Sequence, residues 1–187
     1  MNTPSREIPY RNPGHGLGRL FLGILLLLGS IAGFIVGGVL CANRMQYLGV
    51  PLIILSVLAI PAGVLMLCGL VLVNPNQSKV VTLFGNYTGT LRQDGFFWVN
   101  PFSLRRPISL RAHNFNSDKL KVNDLRGNPI EIGAVVVWRV ADTAQAAFDV
   151  ENFESYVQVQ TESALRHMAS QHPYDSPHET EVSLRGA

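Results

Sequence analysis

The sequence predicts a membrane α-helical hairpin joined to a small α+β domain, with a mostly antiparallel sheet covered by helices on one side. Three observations predict it. From Leu20 to Ala42, and again from Met45 to Asn74, no residue carries a formal charge. Beyond Asn74 the composition changes to one with both charge signs interspersed. Within that second part, alternating apolar residues give way to helical spacing, as in a domain that builds strands first and helices later.

The arm, residues 1–16, holds two of the basic residues that flank the first apolar run, Arg6 and Arg11, against a single acid, Glu7. The first span is expected over residues 17–42. At 1.5 Å per residue its uncharged part is about 35 Å long, enough to cross a hydrocarbon layer of about 30 Å with some tilt. Arg19 sits where its long side chain can reach the headgroups. A signal peptide is the competing reading. Its apolar region would be shorter, and Val39-Leu40-Cys41 puts a leucine where a cleavage site wants a small residue. A turn over residues 43–47 then leads into a second span, residues 48–73. Pro51 stands near its start, where the missing N–H costs little, and Pro61 stands mid-helix, where a kink is expected.

Gly29, Gly33 and Gly37 recur every four residues on one face of the first helix, and Ala59 and Gly63 repeat that spacing on the second. Such small-residue stripes let two backbones approach closely, so these five are the candidate helix-packing residues. The partner is either the other helix of the hairpin or another subunit. Basic residues outnumber acidic ones before the first span, and only Arg44 lies in the turn. The positive-inside rule therefore places both ends and the soluble domain in the cytoplasm.

The domain is expected over residues 74–187. Lys79–Phe84 reads as a strand, Gly89–Arg92 as a second, Phe96–Val99 as a third, with Asp94-Gly95 turning between them. Arg106–Leu110 and Asp118–Val122 follow. Ile130–Val140 alternates, with Ile130, Ile132, Ala134, Val136, Trp138 and Val140 on one face and Glu131 and Arg139 on the other. Asp142 is placed to cap a short helix, with Gln145 three residues on. A longer helix runs over about 152–171, with Phe153, Val157, Ala164, Leu165 and Met168 along one stripe.

From Asn74 onward there are 11 basic and 12 acidic residues. No basic face is available for nucleic acid, so nucleic acid is excluded as a partner. Cys41 and Cys68 lie in or beside the spans and read as small buried hydrophobes, with no disulfide framework. Phe96, Phe97, Trp98 and Phe102 cluster soon after the second span. They are candidates for contact with the membrane surface, where aromatic rings suit the headgroup zone; strand alternation equally requires some of them to fill the core.

The order Asn74-Pro75, Val80-Val81, Phe84-Gly85, Gly89-Thr90-Leu91, Asp94-Gly95-Phe96-Phe97-Trp98 and Asn100-Pro101-Phe102 resembles the opening of an SPFH domain, also called band 7, of the stomatin/prohibitin/flotillin kind. Asp124–Ile130 resembles its D-x-x-G-x-P-I turn, Val137–Asp142 its V-x-W-R-V-x-D strand end, and Glu162–Arg166 its E-x-A-L-R helix. These matches run in order over about a hundred residues. In the family a further helix, a strand and a coiled coil follow a segment like Ser183–Gly186. The resemblance thus implies that this chain holds an incomplete domain. It also implies a membrane-bound, homo-oligomeric scaffold that touches membrane lipids, organises membrane microdomains, and recruits or regulates a membrane protease.

Catalytic motifs are absent from the sequence: no G-x-S-x-G, no H-E-x-x-H and no phosphate loop with its lysine. Gly14–Gly18 superficially resembles a dinucleotide loop but lies outside any strand–helix context. His113, His167, His172 and His178 lack metal-ligand spacing with cysteines or carboxylates. No catalytic, cofactor-binding or metal residues are therefore expected, no cofactor, and no enzyme. The alternative is a membrane-protease subunit with its own hydrolytic activity. A channel fragment is disfavoured because the spans hold no internal ionisable residue.

Overall fold

The computed structural model describes residues 5–11, 13–175 and 183–185. The chain divides into two compact units, one comprising Glu7–Ser109 and the other Leu110–Ala187 with the first residues of the arm.

The Glu7–Ser109 unit contains the helical hairpin. After a two-residue strand β1 (Gly14–His15), helix α1 (Gly16–Ala42) runs out and α2 (Gln46–Cys68) returns. Both are long and apolar enough to cross a membrane. Most of their side chains are exposed, as lipid-facing side chains would be, and only small residues are buried. These are Gly16, Gly23, Ser30 and Gly37 on α1 and Gly49, Ser56 and Gly63 on α2. Each set recurs at sevens, the interval at which a helix returns to nearly the same face. The two serines spend their hydroxyls on their own helix: Ser30 donates to Leu27 O at 2.8 Å and Ser56 to Leu52 O at 2.7 Å. That removes the cost of burying them in an apolar seam.

The second span was expected to continue to Val73, but α2 stops at Cys68 and Leu70–Val73 forms strand β2. Leu-Val-Leu-Val suits both a membrane helix and a strand. Gly69 interrupts the helix, and alternation then takes over, with Val71 and Val73 buried and Leu72 exposed. Next come β3 (Gln77–Leu83), β4 (Asn86–Leu91), β5 (Gly95–Trp98) and β6 (Ser103–Ser109). They form two antiparallel sheets, ordered β1-β5-β2 and β4-β3-β6. Val71, Val73, Val81, Leu91 and Val99 make the core, with Tyr10 and Phe97 packed against it. The arm returns to this unit. Thr90 donates to Ile8 O at 2.8 Å and accepts from Tyr10 N at 3.0 Å, covering the outer edge of β4. Gly89, at φ +146, leaves no room for a side chain, since an added Cβ would lie 2.8 Å from Tyr10 Cα. Arg92 and Glu7 form an ion pair at 3.3 Å beside it.

In the other unit, β7 (His113–Asn116) pairs with β10 (Val135–Trp138), and β8 (Leu120–Asn123) with β9 (Pro129–Ile132), all antiparallel. Ile130–Val140, a single strand by its alternation, is thus two. It changes partner at Gly133-Ala134, where Ala134 N donates to Ser117 Oγ at 2.8 Å and Ser117 N to Ala134 O at 2.8 Å. Asp142 caps α3 (Thr143–Phe148) by accepting from Ala144 N and Gln145 N, and Asn152 caps α4 (Phe153–Gln171) through Glu154 N and Ser155 N. Of the expected stripe on α4, Leu165 is buried together with Ala169, while Met168 is 42% exposed. The whole arrangement is the helical hairpin with an antiparallel α+β fold that the sequence predicts.

Candidate functional site

The most elaborate constellation in the Glu7–Ser109 unit lies where the two long helices meet the sheets. The last carbonyls of a helix have no partner within it, and in an apolar setting they must find one. Trp98 Nε1 donates to Met66 O at 2.9 Å. Arg105 donates through Nη2 to Cys68 O at 2.9 Å and through Nη1 to Leu70 O at 2.9 Å, and a longer bond reaches Asn100 O at 3.3 Å. Val99 N donates to Gly69 O at 2.8 Å. A guanidinium at this position also complements the negative end of the helix dipole. Burial lowers the pKa of Arg105 from its ordinary value, against the opposing influence of Cys68 and Tyr10.

Helix α1 joins the same junction. The Arg19 guanidinium lies 4.4 Å from the centroid of the Trp98 ring, a cation–π contact. Strand β1 pairs Gly14 with Trp98 and His15 with Phe97, and Gly16 lies so close to Phe96 that an added Cβ would come within 2.5 Å of that ring. Ser103 Oγ donates to Asn100 O at 2.6 Å, and Phe102 N donates to Asn100 Oδ1 at 3.0 Å, shaping the loop that leads from β5 into β6. Start of α1, end of α2 and both sheets therefore share one hydrogen-bonded mount.

The candidate residues read from the sequence are placed as follows. Gly33, Gly37 and Gly63 face the opposite helix: a Cβ on each would meet Ser56, Ile53 and Leu27 respectively. Gly29 has open space around it, and Ala59 is half-buried. Phe96, Phe97 and Trp98 are half-buried in β5, between β1 and β2. Phe102 is 60% exposed. Arg105 escaped the sequence reading. Its only signal is an arginine on a short strand closely following an apolar span.

The Leu110–Ala187 unit has two polar features. Asp124 is buried, and it accepts from Arg126 N at 2.9 Å, Asn128 N at 2.7 Å, Asn128 Nδ2 at 3.0 Å and Tyr174 N at 3.1 Å. Burial alone would raise its pKa, but the Tyr174 N–H and the donors of Asn128 and Arg126 prevail and hold it at about 2. His113 stacks on Trp138 at 4.9 Å, and Trp138 meets Phe153 edge-on at 6.0 Å. Among the described residues no group of three or more His, Cys, Asp or Glu could hold a metal ion. His167 lies 3.1 Å from Gln171 Nε2, and His178 lies outside the described residues.

Residues 71–182, more than half of the chain, match the family model described as SPFH domain / Band 7 family. No curated protein matches the chain.

Proposed function

Because the chain belongs to the SPFH/band 7 family, we propose that it is a membrane-anchored oligomeric scaffold that organises membrane microdomains and recruits or regulates a membrane protease. The observation that carries this reading is the mount. A domain held to two lipid-soluble helices by Arg105, Trp98 and Arg19 transmits its position to the bilayer without a flexible linker. Scaffolding needs such fixed geometry, because neighbouring copies must present the same faces at the same height.

The arm before α1 and the strands after α2 pair with one another, which favours a hairpin with both ends on one side. With the excess of basic residues in the arm, that side is the cytoplasm. The contacting partners are membrane lipids, further copies of the chain and a membrane protease. Extraction in a mild detergent, followed by native mass measurement and identification of co-purifying proteins, tests the proposal. A particle of many 20.5 kDa subunits that carries a protease supports it. A monomer without companions overturns it.

A further inference from the structure

The Leu110–Ala187 unit holds a cavity of about 360 Å³ bordered by β7, the end of β10 and the start of α4. That volume is in the range of ligand pockets. Its half-buried wall is His113, Phe115 and Trp138, with the His113 and Trp138 rings stacked at 4.9 Å. Its exposed rim is polar and includes Asn114, Glu154, Ser155 and Gln158. His113 Nε2 is buried without a hydrogen-bond partner among the described residues. Buried polar atoms are seldom orphaned, and this one has a partner still to be supplied from outside.

The lining selects its occupant. An anion does not fit, because the carboxylate of Glu154 is the one permanent charge among the described lining residues. The N–H groups that the start of a helix could offer an anion are also spent: Glu154 N and Ser155 N donate to Asn152 Oδ1, each at 3.1 Å. A metal ion lacks ligands, since no group of three His, Cys, Asp or Glu exists among the described residues. A wholly apolar guest would strip water from the polar rim and return nothing. A flat cation fits. A guanidinium stacks on aromatic rings and forks to a carboxylate, whereas a lysine ammonium is compact and more strongly hydrated.

The strand says how that cation is delivered. His113, Asn114 and Phe115 are consecutive on β7, and all three line the cavity. Consecutive strand residues point to opposite faces, so a cavity that touches all three borders an edge of the strand. One edge of β7 is taken by β10, and the other carries no strand among the described residues. An extended segment can add itself there through main-chain hydrogen bonds while a side chain enters the cavity. We infer that this cavity receives an arginine presented by an extended segment of a partner protein lying along the open edge of β7. Glu154 takes the charge of the guanidinium, the His113–Trp138 pair supplies aromatic faces, and His113 Nε2 gains a partner. The site is separate from the mount and does not depend on the scaffold reading.

The test uses the full chain in detergent, labelled with 5-fluorotryptophan and followed by fluorine NMR. The sequence has two tryptophans, Trp98 and Trp138, and the Trp138 signal is the one lost in Trp138→Phe. The probes are the blocked pentapeptide Thr-Val-Arg-Val-Thr, its counterparts with lysine or citrulline at the centre, and N-acetylarginine amide. The expected result is a saturable shift of the Trp138 signal with the arginine peptide while Trp98 stays in place. Binding should be about ten-fold weaker for the lysine and citrulline peptides, and weaker by about as much in Glu154→Gln. The unmoved Trp98 signal reports that the Glu154→Gln chain is still folded. A Trp138 signal that ignores the arginine peptide at millimolar concentration overturns the inference. So does equal binding of the citrulline peptide, or an arginine peptide indifferent to Glu154→Gln, since the cavity then reads no charge. N-acetylarginine amide that binds as well as the peptide assigns the cavity to small cations and overturns the partner segment.

Discussion

At the scale of single residues, two side chains carry measurable consequences. Asp124 ties the turn at residues 124–128 to Tyr174 through four N–H donors. Its carboxyl titrates at about 2 in the folded chain and at 3.8 ordinarily, so the ionised form belongs to the fold. Its contribution is complete above pH 3.8 and disappears as pH falls towards 2. The thermal midpoint of the wild-type chain in detergent should fall over that interval, and Asp124→Asn should be less stable at pH 7 and show a flatter profile there. Equal slopes for the two would refute the assignment. Phe84 makes the opposite case, since its φ is +49 and Phe84→Asn should raise the stability of the solubilised chain by about 1 kcal/mol by relieving a left-handed phenylalanine. The turn at Asp124 was legible from its D-x-x-G-x-P pattern. The strain at Phe84 was not, because Phe-Gly reads as the end of a strand until φ is known.

Among the elements, the hairpin shows how sequence spacing can mislead by a half-step. Glycines every four residues are conspicuous on α1, yet the buried seam returns every seven and includes two serines. Antiparallel neighbours that lie nearly parallel in axis keep contact only along a heptad line, and a stripe of fours drifts away from it. Gly37 is shared by both patterns and Gly33 still faces Ser56, whereas Gly29 belongs to the stripe alone and meets open space. Gly49→Leu should therefore destabilise the hairpin by about 2 kcal/mol, as overpacking does, because Gly37 O would stand 2.7 Å from its Cβ. Gly29→Leu should be neutral in the same unfolding measurement. The mount offers a second comparison. Arg105→Met should cost about 2 kcal/mol through lost charged hydrogen bonds. Arg105→Lys should recover only part of it, since an ammonium cannot fork to Cys68 O and Leu70 O together. Strand positions in the domain were mostly legible from alternation. The switch of partner at Gly133-Ala134 was not, because both faces keep their alternation through it.

For the molecule as a whole, two long apolar helices, the antiparallel α+β domain and the family could all be read from the chain, since hydropathy and ordered motifs are local properties. The junction was illegible for the converse reason: Arg19, Met66, Trp98 and Arg105 are far apart in sequence and meet only through the fold. The arm carries this furthest. Ile8 and Tyr10 precede both helices in the chain, while Thr90, which receives them, follows both. The arm must therefore wait until the hairpin is in place. A copy whose arm failed to return would leave the outer edge of β4 uncovered, ready to capture a neighbour's strand, so a misplaced arm would surface as aggregation of the sheet.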